Sequence, residues 1–146
     1  MKENNYKGSN YIRLSNGATI EYTIGYTKCT APTTIKWKEG TSGTATSTSG
    51  ICTGGSTAIK IDWSGAAAGT NNAINGYTIY YREGAAPTTS TYTGTLSAAS
   101  NVSTVTIPAA TINGLNRGSK YYIGIVAKGA AGTSWDSPMS TVSCYF

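Results

Sequence analysis

The chain has 146 residues, of which only 12% are charged and 39% are hydrophobic, and it contains no histidine. Its length is that of one domain, or of one domain with an additional arm. Without histidine, neither a Ser-His-Asp nor a Cys-His catalytic pair can be built, and no histidine-containing metal site can form. Its 11 tyrosines and 3 tryptophans provide large side chains for a core, which argues against a disordered chain.

The charge is mildly positive, with 11 lysines and arginines against 6 acidic residues and a formal net charge of +5. The basic residues are scattered along the chain, whereas nucleic-acid-binding proteins usually cluster them on one element. We therefore predict no nucleic-acid partner. No stretch approaches the roughly 20 apolar residues of a membrane-spanning helix, and residues 1–10 lack the apolar segment of a secretory signal. We accordingly expect neither a membrane span nor export by that route.

The three cysteines, Cys29, Cys52 and Cys144, leave two interpretations open. A Cys29–Cys52 disulfide would cross-link the region around the first core strand. Buried free thiols are the alternative, and an odd number of cysteines without a CxxC motif favours it. A structural zinc site would need a fourth ligand that no histidine can supply. We therefore predict no metal and no cofactor.

The N-terminal thirty residues predict a β-hairpin arm. Two runs with alternating apolar and polar residues, 11–14 and 18–24, flank Ser-Asn-Gly at 15–17, and Asn-Gly between such runs is a strong hairpin signal. An isolated hairpin is marginally stable in water, so this one is expected to lie on the main domain or on a partner. We favour strand addition to the edge of a partner's sheet as its anchoring mode. The candidate partner-binding residues of the arm are Tyr6, Tyr11, Arg13, Tyr22 and Tyr26.

From residue 31 onward the sequence predicts an antiparallel β-sandwich of roughly 100 residues. Short runs rich in Thr, Ile, Val and Tyr alternate with period two between clusters of Gly, Asn and Ser, as strands and turns do. The tract 39–57 consists mostly of Gly, Ser and Thr. We expect it to be a long exposed loop, because it can bury little apolar surface. The seven predicted strands are 33–38, 58–63, 76–82, 90–96, 102–107, 120–128 and 139–145.

Three stretches are similar to the fibronectin type III family: Ile-Lys-Ile-Asp-Trp-Ser at 59–64, Gly-Tyr-Thr-Ile-Tyr-Tyr at 76–81, and the more specific Leu-Asn-Arg-Gly-Ser-Lys-Tyr-Tyr that opens 115–127. The resemblance covers about residues 31–145 and implies a seven-stranded Greek-key sandwich in 31–146. It also implies that Tyr121 is a tyrosine corner, whose hydroxyl bonds backbone a few residues upstream. The core residues implied by the resemblance are Trp63, Tyr77, Leu115 and Tyr121.

Catalysis is not expected, which leaves recognition or assembly. The six acidic residues are dispersed, so no catalytic carboxylate pair is suggested, and no phosphate-binding glycine motif is present. No Arg-Gly-Asp tripeptide exists, so the integrin binding of some family members is not carried over. Loops carry function on a sandwich scaffold, and the candidates are 64–73 and 128–137. Trp135 in the second is either an interface anchor or packed back onto the sandwich.

Two functions fit these features. The first is a non-catalytic structural or interaction protein of a larger assembly, similar to the capsid decoration, head fibre or tail accessory proteins of tailed-phage particles. It would be assembled into the virion in the bacterial cytoplasm, with capsid or tail proteins as partners and host-surface glycans as further ligands. The alternative is a carbohydrate- or protein-binding module associated with secreted bacterial enzymes, in which Trp37 and Trp135 would stack on sugar rings.

Overall fold

The computed structural model describes residues 9–13, 15–17, 19–23, 25–40, 43–51, 58–108 and 120–145. Within these ranges the chain forms ten β-strands and one turn of 3-10 helix at Thr133–Trp135. The strands are β1 (Ser9–Arg13), β2 (Thr19–Thr23), β3 (Thr34–Glu39), β4 (Ser49–Ile51), β5 (Ala58–Ser64), β6 (Ile74–Glu83), β7 (Gly94–Ala99), β8 (Thr104–Pro108), β9 (Lys120–Gly129) and β10 (Ser140–Tyr145).

Two sheets face each other as a sandwich, and β1 and β2 form a third sheet of their own. The smaller sandwich sheet has the order β3-β5-β8, and the larger one has the order β4-β10-β9-β6-β7. Neighbouring strands pair antiparallel except β4 and β10, which run parallel. The predicted seven-stranded all-β sandwich is confirmed, with β4 as an additional short strand at the edge of the larger sheet.

The core lies between the two sheets because alternate residues of each strand point inward. The rings of Trp63 and Tyr77 meet edge to face there, with their centroids 5.1 Å apart. Each fully buried large side chain stabilises the fold by about 1.5–3 kcal/mol. Leu115 lies outside the described residues. The inward residues, all at most 9% exposed, include Ile59, Ile61, Trp63, Tyr77, Ile79, Tyr121, Ile123 and Ile125.

Tyr121 lies opposite Glu83 in the pairing of β9 with β6. Burial raises the pKa of the Tyr121 phenol, and the negative charge and hydrogen bond of the Glu83 carboxylate raise it further. The phenol therefore stays protonated at neutral pH, where tyrosine is already neutral in water. The tyrosine-corner prediction concerns a bond to backbone within 109–119, which lies outside the described residues.

The described part of the tract 39–57 departs from the predicted exposed loop at two places. Ala45 is only 1% exposed, and its N–H donates to Asp62 Oδ2 at 2.9 Å. Trp37 and Ser47 exchange two backbone hydrogen bonds, and β4 adds to β10. Residues 43, 44, 46 and 48 are exposed, as an exposed loop requires. The burial of Ala45 and the strand β4 were not predicted, because backbone hydrogen bonds order a segment irrespective of its side chains.

The predicted N-terminal hairpin is present. Its two strands pair antiparallel from Ser9 opposite Thr23 to Arg13 opposite Thr19. Gly17 in the connecting turn has a φ of 87°, a left-handed conformation that glycine adopts readily. The hairpin therefore follows the Ser-Asn-Gly signal of the sequence.

Candidate interaction surfaces

Residues 25–32, which we call the strap, lie across one pole of the sandwich between the hairpin and β3. Two loops meet at this pole, 65–73 between β5 and β6 and 130–139 between β9 and β10. Thr30 and Ala67 exchange backbone hydrogen bonds of 2.8 and 3.3 Å. The N–H of Cys29 donates to the carbonyl of Trp135 at 3.1 Å. The strap is thus bonded to both loops that the sequence analysis selected as candidate sites.

Asn72 connects the strap to both loops. This side chain is 2% exposed, and its Nδ2 donates to the carbonyls of Thr27 at 3.0 Å and Trp135 at 2.8 Å. Its Oδ1 accepts the N–H of Ala131 at 3.0 Å. A buried amide with both ends satisfied fixes the geometry around it, because leaving any of these groups unpaired would be unfavourable.

Two glycines allow the strap and loops to approach closely. A Cβ added to Gly69 would collide with the Thr27 carbonyl and lie 2.7 Å from the Lys28 carbonyl oxygen. A Cβ added to Gly129 would lie 2.5 Å from Asn72 Oδ1. These distances are shorter than real Cβ contacts, so the backbone approach at this pole depends on glycine.

Tyr26 of the strap packs on Trp135, with ring centroids 5.6 Å apart and an interplanar angle of 33°. Both residues are partly buried. The loop that carries Trp135 is held by Asp136, which accepts the Gly129 N–H at 2.8 Å and the Lys128 ammonium at 2.5 Å. Trp135 therefore packs back onto the protein through Tyr26 while keeping part of its ring accessible.

Tyr26 and Trp135 are the two predicted partner-binding residues whose side chains the structure describes, and it brings them together. Tyr11 and Arg13 lie on β1, and Tyr22 lies on β2; their side chains are outside the described atoms. Tyr6 lies outside the described residues altogether.

A second surface, which the sequence analysis missed, lies on the outer face of the larger sheet. The inward residues of β6 and β9 belong to the core, so the residues that alternate with them point outward. Arg82 and Tyr122 are opposite each other in the register of these strands, and Lys120 Nζ lies over the Tyr122 ring, 4.9 Å from its centroid. We call Tyr80, Arg82, Tyr92, Lys120 and Tyr122 the tyrosine–arginine face.

Tyr92 reaches this face from the loop between β6 and β7. Its ring packs edge to face on Tyr80 with centroids 5.3 Å apart, which leaves Tyr80 8% exposed and Tyr92 46% exposed. Arg82 Nη1 donates to the carbonyl of Ala86 at 3.1 Å and holds the same loop against the sheet. The loop thereby presents one tyrosine ring to solvent above a buried one.

A signal for this face was available in the sequence. Each of the doublets Tyr80-Tyr81 and Tyr121-Tyr122 lies in a predicted strand, and adjacent strand residues point to opposite faces. One tyrosine of each doublet must therefore point away from the core. The position of Tyr92 carried no such signal, because it depends on how the loop folds.

The described residues contain no group of three or more Cys, Asp or Glu side chains that could hold a metal ion. A shallow groove of about 190 Å³ lies between β3, β5 and residues 44–45. Its Asp62 carboxylate accepts the Ala45 N–H and the Thr104 hydroxyl, which makes it a structural acceptor. The described residues form no helix that is long and apolar enough to cross a membrane.

Trp37 does not take the sugar-stacking position that the carbohydrate-binding alternative assigned to it. The side chain is 4% exposed and belongs to the core cluster, because it alternates inward along β3 with Ile35. Of the two tryptophans in that alternative, only Trp135 keeps an accessible ring.

Comparison with known proteins identifies a family. The model of the fibronectin type III domain matches residues 45–143, a span that contains the tyrosine–arginine face and both loops of the pole but begins after the strap. Among solved structures, the chain is similar to the twitchin kinase region from C. elegans (Fn31-NL-kin-CRD-Ig26). The identity is 20% and the TM-score 0.41, over 59% of this chain and 13% of that one, so the chain spans a small part of that protein's length. No curated protein matches.

Proposed function

Because the chain belongs to the fibronectin type III family, we propose that it is a non-catalytic structural and interaction module, anchored to a larger assembly by its N-terminal hairpin. One observation carries this proposal. As far as the structure describes the chain, β1 and β2 form a sheet of their own that joins neither sheet of the sandwich.

A two-stranded sheet is marginally stable alone in water, and its outer edges present backbone N–H and C=O groups. Adding such strands to the edge of a partner's sheet satisfies those groups and supplies affinity from main-chain hydrogen bonds. Tyr11, Arg13 and Tyr22 lie on these strands, and Tyr and Arg are residue types enriched at interface hot spots. The hairpin therefore has both the backbone and the composition of an anchor.

The strap supports the same role, because it attaches the base of the hairpin to the sandwich. Hydrogen bonds from the strap reach both loops of the pole, and the Tyr26–Trp135 pair lies where the strap begins. The chain that follows the hairpin is thereby attached to the sandwich. We assign Tyr26 and Trp135 to the part of the partner contact nearest the sandwich.

The assembly that we propose is a tailed-phage particle, in which the protein is a capsid decoration, head fibre or tail accessory component. The support is architectural, since a small sandwich with a strand-forming arm resembles such components. Capsid or tail proteins are then the partners of the hairpin.

Co-sedimentation tests the proposal directly. The purified full chain is mixed with tailed-phage particles, and the pelleted fraction is measured against that of Ile12→Pro. Proline removes a backbone donor from β1 and disrupts strand pairing, so this variant is expected to stay in the supernatant.

The matched control is Ser100→Pro. The Val102 N–H donates to the Ala99 carbonyl and closes a turn. Ser100 is the second residue of this turn, a position where proline is tolerated. This control should pellet like the unsubstituted chain. Equal pelleting of the Ile12→Pro variant, or no pelleting of the unsubstituted chain, would contradict the proposal.

A further inference from the structure

The turn of the N-terminal hairpin contains a chemically reactive dipeptide, Asn16-Gly17. Residues 15–17 are exposed, and they lie beyond the last paired positions of the two strands, Arg13 and Thr19. Gly17 has a φ of 87°, and a Cβ added to it would meet no atom within 4 Å. The dipeptide is therefore exposed to water, with open space around the glycine.

An asparagine that precedes a glycine can lose its side-chain amide without an enzyme. The backbone nitrogen of Gly17 attacks Cγ of Asn16, and the new C–N bond closes a five-membered succinimide ring. The side-chain NH2 group takes up the proton of the Gly17 N–H and leaves as ammonia. Water then opens the ring at one of its two carbonyls and gives aspartate or isoaspartate. Glycine favours ring closure, because it has no Cβ to obstruct the rotation that brings its nitrogen to the side chain.

A second Asn-Gly pair, Asn75-Gly76, provides an internal comparison because its backbone is held in the larger sheet. Asn75 is also exposed, and it is the extra residue of a bulge opposite β9. Gly76 pairs with Ala99 of β7 on one side and with Lys128 of β9 on the other. Rotation of the Gly76 nitrogen toward the Asn75 side chain would disrupt this pairing. The two sites thus share a dipeptide and an exposed asparagine, and they differ in how the backbone is restrained.

The restraint on Asn16 is weaker than that on Gly76. Asn16 has an interaction of its own, but a single polar interaction at an exposed site contributes little, because water competes for both partners. Pairing of Gly76 on both sides involves backbone groups of three strands that are part of the sandwich. The reaction is therefore expected to be faster in the hairpin turn.

We propose that Asn16 is a site of spontaneous deamidation and that the isoaspartate formed there disrupts the hairpin. Isoaspartate directs the main chain through its side-chain carbon, which adds a methylene group to the turn. The added length disturbs the register that places Arg13 opposite Thr19. A two-stranded sheet is marginally stable in water, so it has little reserve against a distorted turn. The modification itself is independent of the proposed anchoring function, which it would impair as the protein ages.

The reaction is measured by incubating the purified full chain at neutral pH and analysing tryptic peptides by mass spectrometry. Trypsin places the two sites on separate peptides, 14–28 and 61–82, and a digest of the fresh chain gives the background. Deamidation of Asn16 should be at least about tenfold faster than that of Asn75, which corresponds to a barrier lower by about 1.4 kcal/mol. The rate should also rise from neutral to mildly alkaline pH, because the attacking nitrogen must lose its proton.

Two controls separate the effect of the fold from that of the dipeptide. In concentrated urea the strand pairing of β6 is lost, so Asn16 and Asn75 should deamidate at similar rates and the native difference should disappear. Asn16→Gln keeps an amide but would have to close a six-membered ring, so the peptide 14–28 of this variant should remain unmodified over the same period.

Amide chemical shifts of β1 and β2 report the effect on the hairpin. In the isoaspartate form, separated by chromatography, these shifts should move toward random-coil values while those of β5 and β9 stay unchanged. Asn16→Asp adds the same negative charge with an ordinary main chain, and it should keep the shifts of the hairpin. This variant therefore distinguishes the altered backbone from the added charge.

Three results would overturn the proposal. They are equal rates at Asn16 and Asn75 in the native chain, an aged chain without isoaspartate at Asn16, and hairpin shifts that isoaspartate leaves unchanged. Each is measured on the free chain without particles, so failure of the anchoring proposal in co-sedimentation would not affect them.

Discussion

The hairpin and the strap are consecutive segments of the chain, yet they relate to the sandwich in opposite ways. The strap hydrogen-bonds to both loops of the pole through backbone groups and through the buried Asn72. Within the described ranges, the strands of the hairpin pair only with each other. The sequence predicts one arm of thirty residues, whereas the described hydrogen bonds divide it into the strap, which is bonded to the domain, and the hairpin, whose strands pair with each other.

The difference shows what attaches a segment without regular strand structure to the sandwich. The strap has no strand pattern, and it is held by hydrogen bonds to the two loops together with the buried Cys29 side chain, which belongs to the core cluster. The hairpin has stronger local strand signals, but local signals do not attach it to the sandwich. Tertiary attachment and local propensity are therefore separate properties here.

The largest loss of stability is expected from a substitution in the core, against which the effects in the strap and the hairpin can be compared. Replacement of Trp63 by alanine removes a large buried ring that packs on Tyr77, and it should lower the free energy of unfolding by about 3–5 kcal/mol. Urea denaturation followed by far-UV circular dichroism measures this change. A loss below about 1 kcal/mol would be incompatible with a core position for this side chain.

The second-largest loss of stability is expected when the strap loses its hydrogen bond to the Asn72 amide. Asn72→Ala removes the amide that bonds the Thr27 and Trp135 carbonyls and the Ala131 N–H. Because the Trp135 carbonyl keeps its bond from the Cys29 N–H, the Thr27 carbonyl and the Ala131 N–H lose most, and the variant should lower the free energy of unfolding by about 2–3 kcal/mol. Asn75→Ala is the matched control, because Asn75 is exposed on β6. Similar losses in both variants would refute the structural importance of Asn72.

A smaller loss of stability is expected when the close packing between the strap and the loop 65–73 is disturbed, and a glycine of the strap itself provides the control. Gly69→Ala places a Cβ against the Thr27 carbonyl and should reduce stability by about 1–2 kcal/mol through overpacking. Gly25→Ala meets no atom within 4 Å and should be nearly neutral. Hydrogen exchange of the Thr30 amide should accelerate in the first variant only, and equal acceleration in both would argue against a tightly packed strap.

The hairpin should show the smallest effect on the sandwich. Ile12→Pro disrupts β1, and the free energy of unfolding of the sandwich should change by less than about 0.5 kcal/mol. Thermal unfolding monitored by tryptophan fluorescence tests this, because Trp63 and Trp37 report on the core. A larger loss would mean that the hairpin stabilises the domain and would remove the contrast with the strap.

The strands and the core could be predicted because period-two alternation is local information. The Ile59, Ile61 and Trp63 positions of β5 follow from alternation alone, and the family resemblance adds their place in the sandwich. The hairpin follows from Asn16-Gly17 between two alternating runs. These features depend on residues close together in the chain.

The strap and the tyrosine–arginine face depend on distant residues, so the sequence could not position them. Thr27 and Asn72 are 45 residues apart, and Asn72 and Trp135 are 63 apart. Arg82 and Tyr122 become neighbours only through the register of β6 with β9. The order within 43–51 escaped prediction for a different reason, since backbone pairing leaves little trace in composition.

Because Cys29 is buried, its thiol can report transient opening of the strap. The thiol is 2% exposed and lies 3.6 Å from the Asn72 carbonyl oxygen, so an alkylating reagent can reach it only during transient opening of the strap. When reclosure is faster than alkylation, the labelling rate relative to that of an accessible thiol equals the equilibrium constant for opening. Peptide mass spectrometry at Cys29 thus measures how often the segment that links the hairpin to the domain opens.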